Sequence, residues 1–296
     1  MAKIVVHIGF PRTASTWLQQ VYFPQVSNYT FLTRKILNPS LFHESPLTFK
    51  HNEFLSKLPR NQNIIISEEM ITGNIRGGQV NHWFYSESID RLVSLFPKAE
   101  YVVFLRKQSH FIFSLYSQYI KKGGTYSLRR FLNPANRLEE LFLFSPLFAN
   151  FEPYLEYLSN KVGKERMHVY LYESFRQNPN EFLSKMNTDF GFTIEGSLPS
   201  ERPLNRGLSP DQLVLYRGLN HFTRYGIPFK HYYFHLPGVY TSREGKGSRQ
   251  EIPPKAKRYL NDFCRQYAKS NQRIMKDYSL LDMQVFGYPL SSTEQP

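Results

Sequence analysis

The sequence predicts an α/β fold in which helices flank a central parallel β-sheet. Apolar runs rich in β-branched residues, the usual composition of buried strands, occur at 4–8, 64–66, 101–105 and 167–171. Segments with helical periodicity separate most of these runs, and this alternation is typical of parallel strands joined by crossover helices. A weaker candidate at 29–32 would add a fifth strand.

The helical patterns lie between and after the predicted strands. They cover 16–22, 88–96, 109–121, 147–160, 180–190, 210–221 and 254–278, of which the last is the longest. We expect residues 1–296 to form one domain with a helical or irregular C-terminal cap. The regions 123–148 and 199–253 are less regular, and the second is rich in Gly, Pro and aromatic residues.

Charge and apolar patterning narrow the class of protein. The chain has 37 Lys and Arg against 24 Asp and Glu, a net charge of +13, which favours polyanionic partners without choosing among them. The sequence has no run of about 18 apolar residues, the length needed to span a bilayer, and the apolar run at 4–6 is too short for a secretory signal. We therefore expect a soluble, cytoplasmic protein, with peripheral membrane contact left open. The single Cys264 cannot form an internal disulfide, and we interpret it as a core residue.

The segment Gly9 to Thr16 follows the first strand and runs into a helix. Such a turn places backbone N–H groups at the positive end of the helix dipole, where anions bind. Laid on the nucleotide-binding pattern G-x-x-x-x-G-K-[ST], the segment matches only at its two ends. Ala14 replaces the second Gly and Ser15 replaces the Lys, so hydrolysis of ATP or GTP is disfavoured. Arg12 supplies a cation in the middle of this P-loop-like turn instead.

This loop resembles the 5′-phosphosulfate loop of sulfotransferases that use 3′-phosphoadenosine 5′-phosphosulfate (PAPS). The family pattern is a basic residue, Ser or Thr, Gly, two hydroxyl residues and an apolar helix. The resemblance implies that the cofactor contacts Pro11, Arg12, Thr13, Ala14, Ser15, Thr16 and Trp17. Ala14 stands where the pattern has Gly, and alanine fits there without strain only if φ is negative.

A second element follows the run at 101–105. Arg106 lies at the end of that predicted strand, Ser114 stands eight residues later on the next helix, and Tyr116 follows shortly after. The spacing resembles the 3′-phosphate element of the same family, which implies that Arg106 and Ser114 bind the 3′-phosphate and that Tyr116 contacts the substrate. The alternative is that Arg106 pairs with a carboxylate and Ser114 is an ordinary helix residue.

A third element precedes the last helical pattern. The segment 244–249 contains Lys246, Gly247 and Arg249, and Gly beside basic residues allows close backbone approach to a phosphate. It is similar to the segment with which sulfotransferases close over the 3′-phosphate and adenine. A flexible basic surface loop is the alternative. The stretches 169–173 and 286–289 also resemble bacterial and Golgi-type carbohydrate sulfotransferases, in family order.

Sulfuryl transfer needs charge stabilisation on the leaving phosphate and removal of a proton from the attacking hydroxyl. Arg12 suits the first task, because a guanidinium stays protonated at neutral pH. The run at 64–66 is followed by Ser67, Glu68 and Glu69, which brings two carboxylates to the same predicted sheet edge. We weakly prefer Glu69 to Glu68 as the general base, as the resemblance to Glu-type members implies. The same pair could instead bind Arg12 or Arg76.

Histidines are weaker candidates for the base. Among the nine, we interpret His7 and His110 as packing residues. The sequence has no His and Cys cluster with metal spacing, so we expect no metal.

Two other functions compete with sulfuryl transfer to a hydroxyl of a carbohydrate, glycolipid or small molecule. One is a P-loop kinase that uses ATP, with Glu68 or Glu69 holding Mg²⁺; the missing Lys at position 15 disfavours it. The other is a non-enzymatic nucleic-acid-binding protein, for which the 25 Phe and 20 Tyr would stack bases, although no binding module is evident. By analogy, 123–144 and the aromatic stretch 225–240 would line the acceptor site. The aromatic stretch could equally form a packed cap.

Overall fold

The structure is a computed structural model. It describes residues 2–37, 41, 44–45, 47–69, 71–72, 82–136, 139, 143–196, 208–222 and 251–291. The described residues fall into two compact units. The first takes its residues from Met1–Gly73, His82–Leu105 and Pro153–Arg202, and the second from Arg106–Glu152 and Pro203–Pro296. The expected single domain stays a prediction.

The first unit contains a five-stranded parallel sheet. Its strands are β1 (Ile4–Gly9), β2 (Thr30–Leu32), β3 (Ile64–Glu68), β4 (Glu100–Leu105) and β5 (Met167–Leu171). Their order in the sheet is β2-β3-β1-β4-β5, so the first strand in the chain lies in the middle. Because all neighbours run parallel, the carboxyl ends of β1, β2 and β3 lie at one edge of the sheet.

The sheet is buried because its strands are almost continuously apolar, as expected of a parallel sheet covered on both faces. Residues 5–9 of β1 and all of β3 are buried. The core of the first unit also contains aromatic residues whose polar ends find partners. The hydroxyls of Tyr22 and Tyr170 donate to Asn187 Oδ1 at 2.6 Å and to Asp189 Oδ2 at 2.5 Å. These contacts fix the helix Pro179–Phe190 in the core of this unit.

The helices occupy the following ranges, with α-helices first and tighter or wider turns after them: Ser15–Trp17, Arg34–Leu37, His51–Ser56, His82–Leu95, Gln108–Lys121, Leu128–Leu132, Glu152–Val162, Tyr172–Gln177, Pro179–Phe190, Pro210–Leu219, Pro254–Cys264, Ala268–Asp277 and Asp282–Val285, then the π-helical Leu18–Tyr22 and the 3₁₀ turns Phe23–Gln25, Pro146–Ala149, Lys164–Arg166 and Arg265–Tyr267. Their ends follow local chemistry. Ser209 and Gln212 form a capping box before one helix, and Gly191 ends another with a φ of 66°.

The second unit packs around the helix Gln108–Lys121, most of whose residues are buried. Phe111 contacts Phe148 and Phe151, with ring centroids 5.6 Å apart in both pairs. Buried Gln108 donates to Asn271 Oδ1 at 2.7 Å, which ties this helix to Ala268–Asp277. Cys264 is also buried, and burial raises the pKa of its thiol to about 12, so the interpretation as a core residue is confirmed.

The predicted fold class, a parallel sheet with flanking helices, is confirmed, and so are all five predicted strands. The single long helix predicted at 254–278 is wrong, because a 3₁₀ turn at Arg265–Tyr267 divides it. The helix predicted at 147–160 is likewise divided, into Pro146–Ala149 and Glu152–Val162. Most of the region 199–253 lies outside the described residues.

Candidate active site in the first unit

The loop between β1 and the first helix is held by short local hydrogen bonds. Thr13 is buried, and its Oγ1 donates to the carbonyl of Phe10 at 2.5 Å. The N–H of Leu18 donates to the carbonyl of Ala14 at 3.0 Å, which begins the helical turn. Pro11 is buried, whereas Arg12 and Thr16 are half-buried. The loop therefore has a defined shape at the carboxyl end of the central strand.

Two residues of this loop have left-handed backbones. The φ angle is 71° at Arg12 and 69° at Ala14. Among the non-glycine residues that the structure describes, only Asn61 and Ser279 share this property. A side chain in this conformation crowds the following carbonyl and costs about 1–2 kcal/mol per residue. Such strain is found where a functional backbone shape is needed, so it marks the loop as a candidate site.

Ala14 thus departs from the Gly of the family pattern at a cost. Alanine is tolerated there without strain only at negative φ, and the observed φ is positive. The main chain nevertheless takes the conformation that a glycine favours at this position. Alanine in place of the pattern's glycine therefore raises the strain energy of the loop, but the left-handed turn is kept.

Replacement of Ala14 by Gly is expected to raise the free energy of unfolding by about 0.5–1 kcal/mol. The gain is the relieved left-handed strain less the extra entropy of a glycine in the unfolded chain. Chemical denaturation measures it. The matched control is Ala268→Gly at the start of a helix, where glycine should lower stability instead. Equal losses in both variants would show that Ala14 is unstrained.

Ser15 is the second unusual residue of the loop. It is 1% exposed, and among the described residues its Oγ has no hydrogen-bond partner. A buried hydroxyl without a partner costs about 1–3 kcal/mol. A Cβ at Gly9 would lie 2.3 Å from this Oγ, so the glycine makes room for the hydroxyl. An orphan donor at a helix start fits an anionic oxygen.

Trp17 anchors this helical segment. Its ring is 5% exposed and packs against Tyr22 and Phe175, with centroid distances of 6.4 and 5.2 Å. The side chain therefore serves the core of the first unit. The predicted contact of Trp17 with the cofactor stays a prediction.

The two predicted carboxylates lie at the same sheet edge, at the end of β3. Glu68 is fully buried, and its Oε1 accepts from Arg34 Nη2 at 2.9 Å. Glu69 is 24% exposed, and its Oε1 lies 3.1 Å from the same nitrogen. Arg34 follows β2 by two residues and binds both acids. The sequence favours Arg12 or Arg76 as partners and does not identify Arg34; Arg76 lies outside the described residues.

A polar network supports the end of β3. His7 Nδ1 lies 2.7 Å from Ser67 Oγ, and Gln19 Nε2 donates to Ser67 Oγ and to the Ser67 carbonyl, both at 3.1 Å. Thr72 Oγ1 donates to the carbonyl of Gly9 at 3.0 Å. These contacts tie the segment after β3 to the loop after β1. Gln19 and Thr72 were not predicted from the sequence, since polar residues at these positions show no distinctive spacing.

His7 is a packing residue, as predicted. It is fully buried, and its ring contacts Phe23 and Phe104. Burial lowers the pKa of His7 to about 3, so the imidazole stays neutral near pH 7. The interpretation of His110 as a packing residue is wrong, because its side chain is exposed on the helix Gln108–Lys121.

The remaining predicted site residues belong to the second unit or lie outside the described chain. Arg106 directly follows β4 and is half-buried, and Ser114 is 1% exposed on the next helix. Tyr116 is buried, and its hydroxyl donates to the carbonyl of Tyr126 at 3.1 Å. Lys246, Gly247, Arg249 and the aromatic stretch 225–240 lie outside the described residues.

In the parts of the chain that the structure describes, no group of three or more His, Cys, Asp or Glu could hold a metal ion. Within those same parts, none of the helices combines the length and apolar character that crossing a bilayer requires.

Comparison with known proteins gave structural likenesses only. No protein-family model and no curated protein matches the sequence. Similar solved structures include a sulfotransferase from Alicyclobacillus acidocaldarius, with a TM-score of 0.47, 15% identity and coverage of 74% of this chain and 92% of that one. The sulfotransferase domain from the curacin biosynthetic pathway has a TM-score of 0.40 and 14% identity, over 66% and 76%. Mouse sulfotransferase SULT7A1, complexed with PAP, has a TM-score of 0.44 and 12% identity, with coverage of 94% of this chain and 89% of that one. These likenesses do not show a family.

Proposed function

We propose that this chain is a sulfotransferase that moves the sulfuryl group of PAPS to a hydroxyl of an acceptor. The observation that carries the proposal is the loop from Gly9 to Thr16. It has two left-handed residues, an orphan buried hydroxyl at Ser15, which stands where an NTP-binding loop needs its lysine, and a cation at Arg12 instead. These properties suit a sulfated phosphate better than a triphosphate with Mg²⁺.

In the proposed reaction, the acceptor oxygen forms a bond to sulfur while the bond from sulfur to the bridging phosphate oxygen breaks. The acceptor proton passes to a carboxylate, and 3′,5′-adenosine bisphosphate leaves. Arg12 stabilises the charge that develops on the leaving phosphate. Ser15 and the backbone N–H groups of Thr13, Ala14 and Thr16 bind its oxygens. Pro11 has no N–H and shapes the turn.

Glu69 is the proposed general base, with Glu68 as the alternative. Its carboxylate is partly exposed, whereas Glu68 is buried against Arg34. A base must reach a hydroxyl that enters from solvent, which favours the exposed member of the pair. Arg34 holds both carboxylates in place.

We assign Arg106 and Ser114 to binding of the cofactor's 3′-phosphate. The segment that closes over this phosphate is assigned to Lys246, Gly247 and Arg249. Support comes from the sequence pattern and from the position of Arg106 immediately after β4, the strand beside β1. A planar guanidinium can bind two phosphate oxygens at once. Tyr116 is retained as a substrate contact.

The acceptor, the compartment and the absence of a metal or nucleic acid are also part of the proposal. We infer an acceptor that is a carbohydrate, a glycolipid or another small hydroxyl compound, in a cytoplasmic enzyme that needs no metal and binds no nucleic acid. The net charge of +13 is compatible with an anionic cofactor. A screen of hydroxyl acceptors with labelled PAPS would identify the substrate.

Binding of the product tests the proposal. Saturating 3′,5′-adenosine bisphosphate without Mg²⁺ is expected to raise the melting temperature by several degrees, since a ligand at about a hundred times its Kd adds about 2.7 kcal/mol. Ser15→Ala is the matched variant. Without ligand it should be at least as stable as the parent chain, because an orphan buried hydroxyl is removed, and with ligand its shift should shrink.

The competing functions predict other outcomes. Stabilisation only by ATP with Mg²⁺ would support a P-loop kinase and contradict the proposal. Tight, steeply salt-dependent binding of single-stranded nucleic acid with no response to the bisphosphate would support the nucleic-acid-binding alternative.

A further inference from the structure

The second unit contains a cavity of about 1000 Å³. Its walls come from the helices Gln108–Lys121, Leu128–Leu132, Pro210–Leu219 and Pro254–Cys264. This volume lies at the upper end of the range for small-molecule sites, which is about 300–1000 Å³. The cavity is therefore large enough for an organic ligand.

The lining is mainly apolar. Its apolar lining residues include Phe113, Leu128, Leu213 and Val214. Val214 is 67% exposed. Apolar side chains around a concave space favour an apolar ligand body, because binding removes both surfaces from water.

Three cationic side chains also line the cavity: Arg129, Arg217 and Lys255. Among its described lining residues there is no Asp or Glu. None of these three cations forms an ion pair with an acid in the described part of the chain. Among the acids near these cations in sequence, Glu139 pairs with Arg130 and Asp262 pairs with Arg265, whereas Asp211 and Glu251 are not among the described lining residues.

Arg217 is the best-positioned of the three cations. It is half-buried and lies near the hydroxyl of Tyr116, whose pKa is raised by burial and lowered by this guanidinium. That hydroxyl in turn donates to the carbonyl of Tyr126. A guanidinium has five N–H donors, so Arg217 can stay beside Tyr116 and still donate to a ligand. Elsewhere in the lining, Asn133 Nδ2 donates to the hydroxyl of Tyr259 at 3.0 Å, which orders that ring.

We propose that this cavity binds a small amphiphilic anion, an apolar chain or ring system with one carboxylate or sulfate head. The apolar wall takes the body, and Arg217, assisted by Arg129 and Lys255, binds the head. Three cations that have no acidic partner among the described residues lie beside an apolar surface, which lowers the cost of bringing an anionic head out of bulk water. A neutral alcohol would gain only the apolar part, and a cation would be repelled. The inference does not depend on the proposed sulfuryl transfer.

Isothermal titration of the full chain with decanoate, decyl sulfate, decanol and decyltrimethylammonium, all below their micellar concentrations, tests the proposal. The two anions are expected to bind at least about tenfold more tightly than decanol, and the cation least. Arg217→Met keeps an apolar side chain of similar length and should weaken decanoate about tenfold while leaving decanol unchanged. The matched control is Arg258→Met, an exposed arginine on the same helix as Lys255 that does not line the cavity.

A second variant guards against loss of structure. Val214→Asp changes an exposed residue, so the chain should still fold, and its new carboxylate should weaken both anions. Equal affinity for decanoate and decanol, absence of binding, or an Arg217→Met variant that binds decanoate as the parent does would each overturn the proposal. The melting-temperature shift with 3′,5′-adenosine bisphosphate is measured on the same variants. If that shift is absent while decanoate binds selectively, the proposed transferase function fails and the anion site stands.

Discussion

Replacement of Arg12 by Ala is expected to lower the rate of sulfuryl transfer by at least about a hundredfold. Arg12 is the cation of the loop after β1, and loss of one preorganised donor to a developing charge typically costs this much in turnover. Steady-state kinetics with labelled PAPS measures the effect. The free energy of unfolding should change little, because Arg12 is half-buried and Ala keeps the left-handed strain.

Two further variants separate charge from backbone shape. Arg12→Lys keeps a positive charge without the planar fork, so its turnover should lie between that of Arg12→Ala and that of the parent. Arg12→Gly relieves the strain at a φ of 71° but removes the guanidinium, so it should be as slow as Arg12→Ala. If Arg12→Gly kept the parent rate, the loop shape alone would matter and the charge assignment would fail.

Replacement of Glu69 by Gln is expected to lower turnover by at least about a hundredfold at nearly unchanged stability. Gln cannot accept the proton of the acceptor, but it can still accept a hydrogen bond from Arg34. Because the Glu69 side chain is partly exposed and its carbonyl is held by Thr72 at 3.2 Å, the segment should keep its shape. Rate and chemical denaturation are both measured.

Glu68→Gln is the matched control for this assignment. It removes a fully buried charge that Arg34 binds at 2.9 Å, so stability should fall by about 1–3 kcal/mol. Turnover measured at a temperature where the variant is folded should fall far less than in Glu69→Gln. The opposite ranking of rates would move the base from Glu69 to Glu68.

The strands were predictable because their signal is local. The runs at 4–8, 101–105 and 167–171 are mostly apolar and contain β-branched residues, as expected of strands buried on both faces. The division of the last helix was not predictable in this way. Its apolar pattern continues through Arg265–Tyr267, and the turn coincides with contacts to distant residues. Tyr267 donates to the carbonyl of Pro146 at 2.9 Å, and Ser270 to Asn150 at 2.6 Å.

In the candidate site, too, some features were predictable from the sequence and others were not. Sequence alone determined where the loop lies, which cation it carries and which two carboxylates follow β3, since each of these depends on residues adjacent in the chain. The tertiary structure decided that Arg34 binds both Glu68 and Glu69, that Ser15 is buried without a partner, and that the backbone is left-handed at Ala14. The physical reason is that burial, strain and choice of partner are set by strand neighbours far apart in sequence, as β2 and β3 are. Only their pairing brings residue 34 to residue 68.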